Sequence, residues 1–172
     1  LNVPDCELIE LSNGKSVFKI ARFDENKHFA SAYSLINQDR VREIRDAKFN
    51  PYSYIRLAGL IRKHAKHFES DLMELFRRMV VNIVIGNTDD HARNHASLYD
   101  IANNEWGLSP AYDMLPSIKG SRNVQALGVG KRGNESSIEN ALSYYQLFGL
   151  KEDVAISEAR FIVDTVKAQW RD

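Results

Sequence analysis

The chain has 172 residues, 44 % apolar and 27 % charged, with 23 basic and 23 acidic side chains and a formal net charge of zero. These totals fit one ordinary globular domain, or one lobe of a larger protein, and exclude an overall field that draws the chain to nucleic acid or acidic surfaces. No stretch reaches the roughly 18 apolar residues of a membrane helix, and nothing at the start resembles a signal peptide.

Beginning at Leu1 rather than Met, the chain reads as a fragment or processed product with sequence missing upstream. Residues 6–23, CELIELSNGKSVFKIARF, read as a β-hairpin, with Leu8 and Ile9 on one arm, Val17, Phe18 and Ile20 on the other, and Asn13-Gly14 as the turn. Two strands alone are marginal, so the hairpin should belong to a larger sheet. Cys6, on the first arm, is the single cysteine. It cannot form an internal disulfide, which points to a reducing, cytoplasmic setting. Its acidic neighbours Asp5 and Glu7 oppose a thiolate, so it reads as a strand residue rather than a nucleophile.

From about Ala30 the pattern turns helical, with a weakly patterned helix expected over residues 30–47. Basic residues gather there (Arg40, Arg42, Arg45, Lys48) and again at Arg62, Lys63 and Lys66. A solvated helix face is the plain reading, and an anion-facing patch the alternative. Pro51 is positioned to open a second helix whose face carries Tyr54, Leu57, Ala58, Ile61, Ala65 and Phe68. Ser70 would cap a third, with Leu72, Leu75, Phe76, Met79, Val80, Ile83 and Val84 on its apolar stripe. Val81 and Ile85 widen that stripe, so its second half should be buried almost all round, and Gly86 ends it. ASLYD and NEWGLS read as two short strands joined around Asn103-Asn104. SPAYDMLPS, with a proline at each end, is a rigid irregular segment, and residues 119–134 read as a mobile loop. Ser136 and Glu139 form a capping box for a helix through Phe148, closed by Gly149. A last helix places Ala155, Ala159, Ile162, Val163, Val166 and Trp170 on one face, and Trp106 and Trp170 read as core residues. The fold class is α+β and mainly helical.

The stretch GNTDDHARNH, residues 86–95, brings two carboxylates, two imidazoles, two carboxamides and a guanidinium to the end of a buried helix. Asp89 and Asn94 are five residues apart, and Asp113 follows 19 residues after Asn94, beyond a short hairpin that would carry it back to the loop. Phosphoryl transfer needs a carboxylate to orient a hydroxyl and accept its proton, and oxygen ligands to hold Mg²⁺ against phosphates. An Asp, a four-residue gap, an Asn, a hairpin and a second Asp is how a protein-kinase lobe supplies them. The plainer alternative is that Asp89 and Asn94 cap the helix end and satisfy turn amides, and Asp90 reads in that structural sense.

GNTDDHARN and LSPAYDMLP resemble the two signature motifs of the HipA-type serine/threonine kinases, the toxins of bacterial toxin–antitoxin pairs: G-x-x-D-x-H-x-x-N and L-[ST]-P-x-Y-D. NVPD at residues 2–5 and the strand ending in ARFD resemble the family's adenine-side hinge, so the resemblance covers residues 2 to about 118. It implies a protein-kinase-like C-lobe with one β-hairpin at the hinge and a smaller one after the catalytic loop. Residues 1–24 would form the hinge side and 25–172 the helical lobe. It also implies ATP and Mg²⁺ as cofactors, Asp89 as catalytic base, and Asn94 and Asp113 as metal ligands. His91, Ala92, Arg93, Asn94 and Tyr112 would line the phosphates, with His91 placing the loop rather than shuttling protons. Ala21, Arg22 and Phe23 would meet adenine, largely through backbone groups. Ala21 stands where the family often has an acidic residue, which leaves no side-chain contact there. None of the chain's nine glycines forms the family's phosphate loop ahead of the hairpin, and the family's nucleotide lysine has no counterpart there. The chain therefore resembles a lobe lacking its N-terminal lobe, and is expected to be weak or inactive by itself.

Two other classes stay open. A metal-dependent hydrolase could draw on Asp89, Asp90, His91 and His95, with a third histidine from His28, His64 or His67. A kinase-like binding module would dock a partner without transferring phosphate. The resemblance implies a cytoplasmic protein substrate and a small DNA-binding antitoxin as partners. Direct nucleic-acid contact through the basic segments is left open, with zero net charge against it.

Overall fold

The computed structural model describes residues 1–38, 50–117 and 123–170. Arg40, Arg42, Arg45 and Lys48, the second half of the helix expected over 30–47, and residues 119–122 of the expected loop lie outside that description.

Strands β1 (Cys6–Glu10) and β2 (Ser16–Ile20) form the expected antiparallel hairpin, with Leu8 opposite Phe18 and Cys6 opposite Ile20. Gly14 supplies the positive φ of its turn, at 74°, which an L side chain resists. The larger sheet is not there: among the described residues this is a two-stranded sheet, and all ten strand residues are exposed.

The second sheet corrects the expected helix start at Ala30. Residues Lys27–Ser31 form strand β3, antiparallel to β4 (Ala96–Asp100), which pairs in turn with β5 (Glu105–Leu108). β3's partner lies more than sixty residues away, so its local pattern carries no trace of the pairing. The helical register begins only with α1 (Ala32–Gln38).

Helix α2 (Tyr54–His64) is capped by Ser53, whose hydroxyl accepts from the Arg56 N–H; Pro51 lies outside it. This is the ordinary hydroxyl cap of an orphan helix donor. Helix α3 (Phe68–Val84) starts before Ser70, whose hydroxyl donates instead to the His67 carbonyl. Tyr54, Leu57, Ala58 and Ile61 of α2 and Leu72, Leu75, Phe76, Met79 and Val80 of α3 form the core's centre, with Ala65, Phe68, Ile83 and Val84 half-buried beside it. The far end of α3 is not buried all round. Val81, Ile83 and Val84 are half-buried, and the side chains fully removed from water there include Arg78 and Asn82.

Residues 123–134 are part of the core rather than a mobile loop. Leu127 and Val129 are fully buried, and Gly128 is hydrogen-bonded to Tyr52 and Tyr54 through backbone groups on both sides. Gly128 permits this approach, since a Cβ there would come within 2.9 Å of the Ser53 side chain. The serine cap falls one residue later than expected, without the reciprocal bond of a capping box from Glu139 among the described residues, and the helix is shorter. Ser137 caps α4 (Ile138–Leu142), a 3₁₀ turn follows at Tyr145–Phe148, and Gly149 closes it at φ 73°. In α5 (Glu152–Gln169), Ala155, Ala159 and Ile162 are buried, whereas Trp170 is 44 % exposed. Trp106 is half-buried outside the core, tilted against Tyr99 on the sheet. Neither tryptophan is a core residue.

Candidate active site

The polar loop starts where α3 ends. Gly86, at φ 69°, turns the chain, and the Asn87 N–H returns to the Asn82 carbonyl at 2.9 Å. Helix α1 holds the loop from the other side. The N–H groups of Ala32 and Tyr33, orphans of a helix N-terminus, donate to the carbonyls of His95 (2.8 Å) and Ala92 (2.9 Å). Arg93 is exposed and lays its guanidinium 4.1 Å over the Tyr33 ring.

Under the loop lies a buried polar network. Asp90, 2 % exposed, accepts through Oδ2 from the Tyr54 hydroxyl and, at 2.9 Å, from His95 Nε2. Asn82 Nδ2 donates to the same Tyr54 oxygen, and Asn82 Oδ1 accepts from Asn87 Nδ2. Burial, and then the Asp90 charge, hold the Tyr54 phenol well above its ordinary pKa, so it stays a donor. Asp90 is thus the anchor of the loop. Asp89, beside it, is exposed and makes no ion pair or side-chain hydrogen bond among the described residues.

The segment carrying Asp113 is fastened to this loop. The Tyr112 hydroxyl donates to the Arg93 carbonyl at 2.8 Å. Burial raises the Tyr112 phenol to about 12, with Arg78 lowering it and Asp113 and Asp90 adding to the rise; all three charges lie close enough to act on it. Asp113 is exposed at φ 58°, a strained backbone for a non-glycine residue and one that clusters at functional sites. Phe23 stacks on Tyr112 at 5.5 Å, and Phe29 lies 6.4 Å away from the same ring.

Contacts therefore join Phe23, Tyr112 and Arg93 at one junction; in the chain, Ala92 and Asn94 flank Arg93, Asp113 follows Tyr112, and Asp89 lies earlier on the same loop. Ala21 and Arg22 have local partners on the hinge side. The Ala21 N–H donates to the Asp5 carbonyl at 2.8 Å, and the exposed Arg22 guanidinium pairs with Asp24 at 2.7 Å. His91 is half-buried, with Nδ1 lacking a hydrogen-bond partner among the described residues. Asn94 is 7 % exposed, and its carboxamide, like the carboxylate of Asp113, makes no hydrogen bond among the described residues. Unengaged oxygen donors of this hardness fit Mg²⁺, which keeps several waters and needs few protein ligands. The hydrolase reading lacks its ligand set. Among the described residues no three His, Cys, Asp or Glu side chains are grouped to hold a metal ion, and His95 Nε2 is taken by Asp90. Two members of the second basic cluster are exposed but engaged within the chain, with Arg62 donating to the Leu147 carbonyl and Lys66 paired with Glu105 at 2.6 Å.

The sequence reasoning missed Tyr54, Arg78 and Asn82. Their signal was faint: Arg78 and Asn82, four residues apart, fall within the mostly apolar second half of α3, and Tyr54 passes for an apolar residue with a hydroxyl to spare.

A helical lobe, an antiparallel sheet and a polar loop on a buried helix make this an α+β, protein-kinase-like C-lobe of the HipA type. Residues 1–170 match the HipA-like C-terminal domain, and the chain belongs to that family. A chain of the Shewanella oneidensis MR-1 toxin–antitoxin complex of HipA, HipB and operator DNA superposes with a TM-score of 0.71 at 14 % identity, over 100 % of this chain and 46 % of that one. A Haemophilus influenzae protein named as a candidate kinase is 28 % identical over 124 residues, 66 % of this chain and 36 % of its own length. The chain thus spans less than half of either relative. No helix among the described residues is long and apolar enough to cross a membrane.

Proposed function

We propose that this chain is the catalytic lobe of a HipA-like serine/threonine protein kinase that transfers the γ-phosphoryl group of ATP to a protein hydroxyl. The observation that carries the reading is the Tyr112–Arg93 hydrogen bond, which ties the Asp113 segment to the loop of Asp89 and Asn94. Asp89 accepts the hydrogen bond of a substrate Ser or Thr hydroxyl, aims its oxygen at the γ-phosphorus, and takes the proton as the new P–O bond forms and ADP leaves. Its exposure suits a substrate as large as a protein. Asn94 and Asp113 hold Mg²⁺, which when bound neutralises phosphate charge. The backbone of His91, Ala92 and Arg93 lines the phosphates, and the Phe23–Tyr112 stack supplies an aromatic floor for the nucleotide.

The partners follow from the same reading: a cytoplasmic protein substrate, and a small DNA-binding antitoxin such as the HipB found with the Shewanella HipA. An N-terminal lobe would add strands to the exposed hairpin and close over ATP. The test is ³²P transfer by the full-length protein. Asp89→Asn and Asp113→Asn should each lower the rate by about 10²-fold or more, the usual range for a base or its electrostatic partners. Wild-type rates in both variants overturn the mechanism.

A further inference from the structure

Arg78 lies on α3, outside the loop, and is 1 % exposed. Its Nε donates to Glu74 at 3.0 Å and its Nη2 to the Ser109 carbonyl at 2.6 Å. Glu74 also accepts from the Asn2 N–H at 3.0 Å, and the Asn2 carbonyl accepts from the Ala111 N–H at 2.8 Å. These four contacts close a ring: Asn2, Glu74, Arg78, and the 109–111 segment back to Asn2. One turn earlier on the same helix face, Asp71 accepts from the Leu108 N–H at 2.8 Å. Residues 71, 74 and 78 are spaced i, i+3, i+7, so a single polar stripe of α3 holds the backbone at 108 and 109 directly and at 111 through Asn2. Asp113 follows two residues later, in its strained conformation. The apolar stripe of α3 packs the core; this second stripe has no packing duty that explains a buried guanidinium.

We infer that Arg78, with Glu74, is a positioning residue that fixes the place and backbone conformation of Asp113, and so sets the affinity of the site for Mg²⁺-nucleotide. The ring also passes through Asn2, and from there the chain runs to Asp5 and the hinge hairpin. The adenine side and the Asp113 side of the site are therefore held by the same residue pair. The planar fork is needed, because Nε and Nη2 face two different acceptors; a lysine ammonium on a flexible stem cannot hold both in that geometry. The inference rests on the kinase reading.

The experiment measures the Mg²⁺ dependence of ATP binding to the full-length protein by titration calorimetry, alongside ³²P transfer and urea unfolding. In Arg78→Lys the Mg²⁺ concentration for half-maximal binding should rise about tenfold, as supporting residues of metal sites typically do. Glu74→Ala cuts the same ring and should raise it comparably, which keeps the test available if Arg78→Lys folds poorly. Glu74→Gln, which retains an acceptor, should restore most of the affinity. In an Asp113→Asn background the Arg78→Lys shift should vanish, because both act through one carboxylate. A merely structural arginine would lower the folded fraction and leave the half-saturation point of the folded protein unmoved; that result overturns the inference. A wild-type protein that binds no Mg²⁺-ATP overturns the kinase reading instead.

Discussion

The Asp90 carboxylate shows what a single hydroxyl contributes beneath the loop. It has two hydrogen-bond donors among the described residues, Tyr54 and His95, and at 2 % exposure it has little access to water. Tyr54→Phe removes the first donor and also strips Asn82 Nδ2 of its acceptor, while changing almost no apolar area. A buried polar group left without its partner costs about 1–3 kcal/mol, so the variant should lose roughly that much stability. Urea unfolding of the purified chain measures it as a lowered midpoint with an unchanged slope. An unmoved midpoint would show that the hydroxyl is dispensable and that His95 alone anchors Asp90. At this scale the sequence was legible where the chemistry is local. Asp89, Asn94 and Asp113 stand out as polar side chains at fixed spacing after a buried helix, which marks them as candidates, and the Tyr112–Arg93 hydrogen bond joins their two segments. Arg78 and Tyr54 act across 31 and 36 residues of chain, and no window of the sequence contains both ends of either contact.

The elements were readable to the degree that their causes are local. Helices α2 and α3 follow from their apolar stripes, and β4 and β5 from alternation around Asn104, whose positive φ of 53° makes the turn. Strand β3 was hidden because its cause is β4, and residues 123–134 were misread because glycine and basic residues there serve close backbone contact rather than mobility. Two glycines separate these roles. Gly59 sits inside α2 with nothing within 4 Å of a Cβ built on it, so Gly59→Ala should stabilise the chain by about 0.5–1 kcal/mol through helix propensity. Gly130 is the opposite case. A Cβ there would overlap the Asn140 carbonyl and the Ser143 hydroxyl and lie 2.7 Å from Asn140 Oδ1. Asn140 is fully buried and ties Arg132, Gly133 and Glu135 together, so it has no room to retreat. Gly130→Ala should therefore cost about 1–3 kcal/mol, as overpacking does. Paired thermal melts of the two variants check both signs, and a Gly130→Ala chain as stable as wild type would mean that the segment gives way easily.

For the molecule as a whole, the distribution of apolar surface is uneven. The core gathers under α2, α3 and α5, whereas β1 and β2 expose Leu8 (64 %), Phe18 (60 %), Val17 (46 %) and Ile20 (44 %). A two-stranded sheet with apolar residues on both faces is a poor stand-alone unit, and an unpaired edge invites further strands. If the full-length protein covers this hairpin with another lobe, the same substitution must act differently in the two settings. Leu8 and Phe18 face each other across the hairpin. Replacing both by serine in the isolated chain removes side chains that water already reaches, so stability should move by no more than about 0.5 kcal/mol. In the full-length protein each would leave an apolar interface, at about 1.5–3 kcal/mol per side chain. Urea midpoints of the four proteins, two lengths with and without the double substitution, give the comparison. A small effect at both lengths would mean the hairpin stays in water whatever precedes it, and the closed, two-lobed nucleotide site would have to be abandoned. A large effect confined to the longer protein would place the hairpin at the seam between lobes, next to Phe23 and Tyr112, where the nucleotide would lie.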